Sequence, residues 1–178
     1  LWYWKVDTWL YSFAVDFFNT KEVPDVISMS WGWAEDDQCS VTQCNNQTAE
    51  QYVNRVNTEY MKLALRGTTI TVASGDAGAP GRTSEGCDPD RPMNPVFPGS
   101  SPWVTSVGAT VVMQDNLLGL SQFKTPLCKN FTCATGHSEY SINYNLTGWT
   151  AGGGFGIFGT ENVPKWQEEQ VKNYLANN

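Results

Sequence analysis

Apolar side chains return every three or four residues between Thr48 and Gly67: Ala49, Val53, Val56, Tyr60 and Ala64 fall on one face. That spacing predicts a helix whose stripe faces a core. Thr48 and Gln51 fit a capping box, in which the hydroxyl and the side-chain amide each satisfy a backbone group left over at the helix start. Gly67, just past Arg66, suits the stop. The pattern then changes at once. Ile70, Thr71 and Val72 are β-branched and predict a buried strand over Thr69–Ala73; Val26–Ser30 has the same character. Strand, helix, strand in that order requires a crossover, so the two strands should run parallel in a right-handed βαβ unit. Their carboxyl ends, Ser30 and Asp76, then share one edge of the sheet.

The remaining pattern is less regular. Trp2–Leu10 alternates roughly and reads as a strand or extended segment, whereas Ser12–Asn19 fits a short helix burying Phe13 and Phe17. Glu22–Asp25 is a turn, Glu35–Gln47 a polar loop, and Ala79–Pro98 a loop rich in Gly and Pro. Trp103–Val112, dense in Val and Thr, predicts a third strand. Gln114–Trp149 is polar and reads as a surface insertion holding a hairpin. A final helix should begin near Pro164, a good first-turn residue, and bury Val171, Tyr174 and Leu175.

The chain of 178 residues suffices for one domain with a sizeable core. A formal net charge of -7 argues against nucleic acid as a partner, since phosphates call for clustered Lys and Arg. No apolar run reaches the roughly 18–20 residues of a membrane helix, so no membrane partner is expected. Leu1 is not Met and no signal peptide opens the chain, so it is expected to begin inside a larger protein. Cys39 with Cys44, and Cys128 with Cys133, lie in polar stretches; the single His137 cannot complete a zinc set, which favours two local disulfides. Cys87 is left for a partner outside the chain. Glycosylation sequons at Asn46, Asn130 and Asn145, beside paired cysteines, point to the secretory route of a eukaryote.

Candidate chemistry gathers where the strands end. Ala73, Ser74, Gly75, Asp76, Ala77 and Gly78 are small residues around a single acid. Ligands of open α/β sheets sit outside the carboxyl ends of the strands, which places Asp76 well for chemistry. Asp also turns or caps chains after strands, and the residues alone leave both readings open. Gly152–Gly156 lacks the Lys-Ser/Thr of a phosphate loop. His137, in the expected insertion, reads as a surface histidine rather than a base.

Four blocks in order, Val26–Gly32 (VISMSWG), Val72–Gly78 (VASGDAG), Phe97–Thr110 (FPGSSPWVTSVGAT) and Gly152–Phe155 (GGGF), resemble the sedolisin family of serine-carboxyl peptidases. The resemblance implies an α/β, subtilisin-like fold, a parallel sheet flanked by helices, here incomplete at both ends. It implies a partial peptidase domain over the whole chain, with 114–149 as the insertion. It also implies a Ser nucleophile activated by a Glu that an Asp supports, with Asp76 lining the oxyanion hole. A carboxylate there would repel the developing negative charge, so Asp76 must be protonated to donate a hydrogen bond, and acid medium is expected. Ser30, Trp31 and Gly32 would be the edge along which the substrate backbone lies as an added strand. Ala73, Ser74 and Gly75 would wall the pocket opposite, and Ala151 and Gly156 stand where the family's glycine loop has serines.

No Gly-Thr-Ser block, which carries the family's nucleophile, occurs in the chain. By resemblance the Glu/Asp helix would precede Leu1, and a calcium loop would follow Asn178. The expectation is a peptidase fragment without cofactor or metal of its own, inactive alone. Its partners would be a peptide or protein substrate and the remainder of the peptidase domain, in a secreted or lysosomal/vacuolar protein. A non-catalytic secreted glycoprotein, either a degenerate peptidase or a binding module, and a histidine-using subtilase are the competing expectations.

Overall fold

The computed structural model describes residues 2–6, 8–84, 88–91, 93–114, 137–158 and 163–177. Helix α1 (Leu10–Asn19) leads to strand β1 (Val26–Met29), a short strand β2 (Trp33–Ala34), a 3-10 turn (Glu35–Asp37) and helix α2 (Gln38–Val41). Helix α3 (Ala49–Leu65) carries the chain across to β3 (Thr69–Ala73), which pairs in parallel with β1, Ile27 opposite Ile70 and Met29 opposite Val72. After β4 (Val96–Phe97), strand β5 (Thr105–Val107) pairs in parallel on the other side of β3, giving the order β1–β3–β5. The architecture is a parallel sheet flanked by helices.

Helix α3 starts as its sequence requires. The Gln51 amide N–H donates to the Thr48 hydroxyl at 3.2 Å, and the Thr48 N–H donates to the Gln51 side-chain oxygen at 3.0 Å. Val53, Val56, Tyr60 and Leu63 are buried in one cluster with Leu10, Ala14 and Phe17 of α1 and Ile70 and Val72 of β3. Each large apolar side chain so buried contributes roughly 1.5–3 kcal/mol relative to exposure. Leu63, not Ala64, completes the stripe, because a 3.6-residue turn drifts from a strict four-residue step. Just past the helix, Arg66 reaches back over α1. Its guanidinium donates to the carbonyls of Phe17 (3.1 Å), Phe18 (2.7 Å) and Lys21 (2.9 Å), satisfying acceptors that a helix end leaves over.

Several expectations are corrected. Trp2–Leu10 forms no strand among its described residues; Leu10 opens α1, because Leu10, Ala14 and Phe17 share its buried face. The expected strand Trp103–Val112 is two strands. After β5 the chain leaves the parallel sheet at Gly108, and β6 (Thr110–Gln114) pairs antiparallel with β7 (His137–Ser141); only β7 falls wholly inside the expected insertion, so this pairing is not the hairpin expected within it. The polar loop Glu35–Gln47 contains two short helical turns and buries Glu35 and Gln38. After helix α4 (Tyr144–Thr147), helix α5 (Glu168–Asn177) keeps much of its apolar side exposed: Tyr174 is 56% and Leu175 63% exposed, although the Phe155 ring packs edge-on against Tyr174. Cys39 and Cys44 form the expected disulfide. Cys87, Cys128, Cys133 and Asn130 lie outside the described residues.

Candidate active site

Because β1 and β3 are parallel neighbours, the residues that follow them emerge together. Ser30, Trp31 and Gly32 from one side, and Ala73, Gly75, Asp76 and Ala77 from the other, line one cleft of about 150 Å³ that Arg82 and Val96 close. Six of the seven residues singled out from the sequence therefore meet. The seventh, Ser74, is not in the lining. Its N–H donates to the Val107 carbonyl at 3.0 Å, and its hydroxyl is buried on the side of Gly108.

The two glycines of the cleft are required by packing. A Cβ on Gly32 would stand 2.4 Å from Val96 Cγ1 and 2.7 Å from the Phe97 carbonyl oxygen. Gly75 has φ +105°, and a Cβ there would stand 2.8 Å from Val96 Cγ2. Val96 is thus wedged between the two walls. On the far side of Gly75 lies the glycine loop: the Gly152 N–H donates to the Gly75 carbonyl at 2.7 Å, and Thr150 bridges Ala77. A Cβ on Gly152 would stand 1.8 Å from the Ser74 carbonyl oxygen, so only glycine can lie so close to this corner.

Asp76 is exposed at the mouth of the cleft. Trp31, 57% exposed, lies beneath the Arg82 guanidinium at 5.8 Å, and the Trp33 ring does so at 5.2 Å. The Trp33 indole N–H in turn donates to Asp37 at 2.9 Å. Arg82 and Val96 escape sequence reasoning, since both lie in the Gly/Pro-rich loop and no periodicity marks them. Glu35 escapes too. It is 2% exposed, and burial pushes its carboxyl up from 4.5 to about 7, although the amides of Ile157 and Phe158 oppose that rise. Its place among three consecutive acids gave no signal of which would be buried.

Among the described residues no three His, Cys, Asp or Glu side chains gather to hold a metal ion. Chemically, the arrangement joins an exposed extended edge to an acid. The edge can hold a peptide as an added strand. The acid, when protonated, can donate a hydrogen bond to an oxyanion.

No family model matches the chain. It is 41% identical over 178 residues to physarolisin of Physarum polycephalum, covering 98% of this chain and 31% of that protein. It is 31% identical over 184 residues to tripeptidyl-peptidase 1 of Rattus norvegicus, covering 96% of this chain and 26% of that protein. The fold is similar to that of a Pseudomonas sedolisin described as a serine-carboxyl proteinase complexed with two molecules of pseudo-iodotyrostatin. That likeness has a TM-score of 0.53 at 24% identity and covers 89% of this chain and 35% of the other. The chain thus spans about a third or less of the length of these relatives.

Proposed function

From a chain that belongs to the sedolisin family, and spans only part of its relatives, we propose the middle of a serine-carboxyl peptidase that hydrolyses peptide bonds at acid pH. One observation carries this reading: Asp76 and the Ser30–Trp31–Gly32 edge line the same cleft at the carboxyl ends of two parallel strands. An extended substrate laid along Ser30–Gly32 would bring its scissile carbonyl toward Asp76. In acid the Asp76 carboxyl donates a hydrogen bond to the tetrahedral oxyanion, where an ionised one would repel it. Ala73 and Gly75 wall the pocket for the residue before the scissile bond, and Ser74 supports that wall from behind.

The nucleophilic Ser, the Glu that activates it and the Asp behind the Glu come from other parts of the whole protein, as does a calcium site. The segment supplies an oxyanion donor and a substrate edge, and by itself cleaves nothing. A secreted or lysosomal/vacuolar setting fits the Cys39–Cys44 disulfide and the exposed sequon residues Asn46 and Asn145. No helix among the described residues is long and apolar enough to cross a membrane.

The test is made in the full-length protein with a peptide substrate. Asp76→Ala should lower kcat by about 10²–10³-fold while leaving KM nearly unchanged, as loss of one oxyanion donor does. Unchanged kcat would remove Asp76 from the mechanism.

A further inference from the structure

The loop that backs the cleft is fastened at two ends. At one end, Thr150 bridges Ala77 and the Gly152 N–H donates to the Gly75 carbonyl, so the loop lies against the corner that carries Asp76. At the other end, the Ile157 N–H donates to Glu35 Oε2 at 2.7 Å, across 122 residues of sequence. Glu35 itself stands three residues beyond Gly32, at the end of β2, and its own N–H donates to the Pro95 carbonyl at 3.1 Å. The Ser30–Gly32 wall thus runs by covalent chain into Glu35, while the Gly75–Asp76 wall runs by hydrogen bonds into the 150–158 loop. The Glu35 carboxyl is where the two meet.

The site around that carboxyl is built for it. A Cβ on Gly156 would stand 3.3 Å from Glu35 Oε1 and 3.6 Å from the Ser100 carbonyl oxygen, so glycine leaves the room. The Phe158 amide also favours the carboxyl from the loop, while the Ser100 hydroxyl, on the turn after β4, is buried without a hydrogen-bond partner among the described residues. Asp36, on the same 3-10 turn, is the charge that reaches it, and it is repulsive. Among the described residues no Lys or Arg forms an ion pair with Glu35; Arg82 lies instead over Trp31 and Trp33. A buried acid without a cation is costly when ionised.

We propose that Glu35 is a positioning residue: by holding the Ile157 amide it keeps the 150–158 loop on the Gly75–Asp76 corner and so sets the two walls of the peptide cleft relative to each other. The proposal rests on the peptidase reading only for its kinetic consequence. Its structural consequence stands apart from that reading. Neutral in acid, the carboxyl accepts from Ile157 at little cost. Toward neutral pH it becomes an uncompensated buried anion, and the fastening loosens.

The experiment uses the full-length protein carrying Glu35→Gln or Glu35→Ala, with two readouts. The first is backbone amide exchange of residues 150–158, corrected for intrinsic exchange, between pH 5 and pH 8. Wild-type protection should fall on the order of tenfold across that range, as loss of one hydrogen bond would allow. Glu35→Gln, whose amide oxygen still accepts but does not titrate, should stay protected throughout. Glu35→Ala should be unprotected at both pH values. The second readout is peptide hydrolysis in acid. Glu35→Ala should lower kcat/KM by about 10–100-fold through misplacement of the cleft walls, and Glu35→Gln should restore it to within about threefold. Equal protection of the loop in wild type and Glu35→Gln at every pH, or undiminished kcat/KM in a folded Glu35→Ala protein, overturns the proposal. Should Glu35→Ala fail to fold, the exchange comparison of wild type with Glu35→Gln decides. If no variant, wild type included, cleaves peptide, the peptidase reading fails, and the exchange result still decides the fastening.

Discussion

Val96 occupies the space that a side chain at Gly32 would need: a Cβ there would come within 2.4 Å of its Cγ1. The same valine fills the room behind Gly75, so one residue of β4 sets the spacing of both cleft walls. Gly32→Ala should therefore destabilise the fold by about 1–3 kcal/mol, the usual cost of overpacking. Val96→Ala in that background should recover only part of the loss, because the Phe97 carbonyl oxygen, 2.7 Å from the added Cβ, is backbone and stays. Denaturant unfolding of the single and double variants in the full-length protein checks this, and full recovery would show that the carbonyl has room to move.

Asp76→Asn separates the charge of that residue from its place. An amide donates a hydrogen bond at any pH, whereas a carboxyl donates only when protonated. The rate profile of Asp76→Asn should extend toward neutral pH, at a kcat within about tenfold of wild type in acid. A profile identical in shape to that of wild type would assign the pH dependence to other groups.

Stability should follow the Glu35 carboxyl. Its folded-state value, raised by burial from 4.5 to about 7, means that the folded protein holds a proton the unfolded chain has released. The contribution is present in full below about pH 4.5, falls as pH rises to about 7, and is constant above that. A shift of that size corresponds to roughly 3 kcal/mol. Urea unfolding at pH 4.5 and pH 7.5 should show that difference in wild type and a much smaller one in Glu35→Gln. An equal difference in both would place the pH dependence elsewhere.

Arg66 closes the end of α1 with three hydrogen bonds to carbonyl oxygens. One of these bonds is partly buried and two are exposed, so Arg66→Ala should cost about 0.5–1.5 kcal/mol and lower the unfolding midpoint accordingly. Arg66→Lys should recover less than half, because an ammonium cannot reproduce a guanidinium fork reaching acceptors on Phe17, Phe18 and Lys21. Complete recovery by lysine would reduce the contribution of Arg66 to its charge.

Local spacing carried much of this protein. The start of α3 at Thr48–Gln51 involves residues three apart, and β3 declares itself in five consecutive residues, so both were legible in the sequence. Their order forced a crossover, and the crossover placed Asp76 and Ser30 at one sheet edge. Periodicity names a face without naming what covers it, and there the sequence fell short: the stripe of α5 reads as buried, yet Tyr174 and Leu175 are exposed. The cleft walls depend on contacts of long sequence separation, Val96 with Gly32 and Gly75, Arg82 with two tryptophans, Glu35 with Ile157. Among Glu35, Asp36 and Asp37, composition and spacing are the same for all three; only the packing of the loop and the turn after β4 decided which one lost its water.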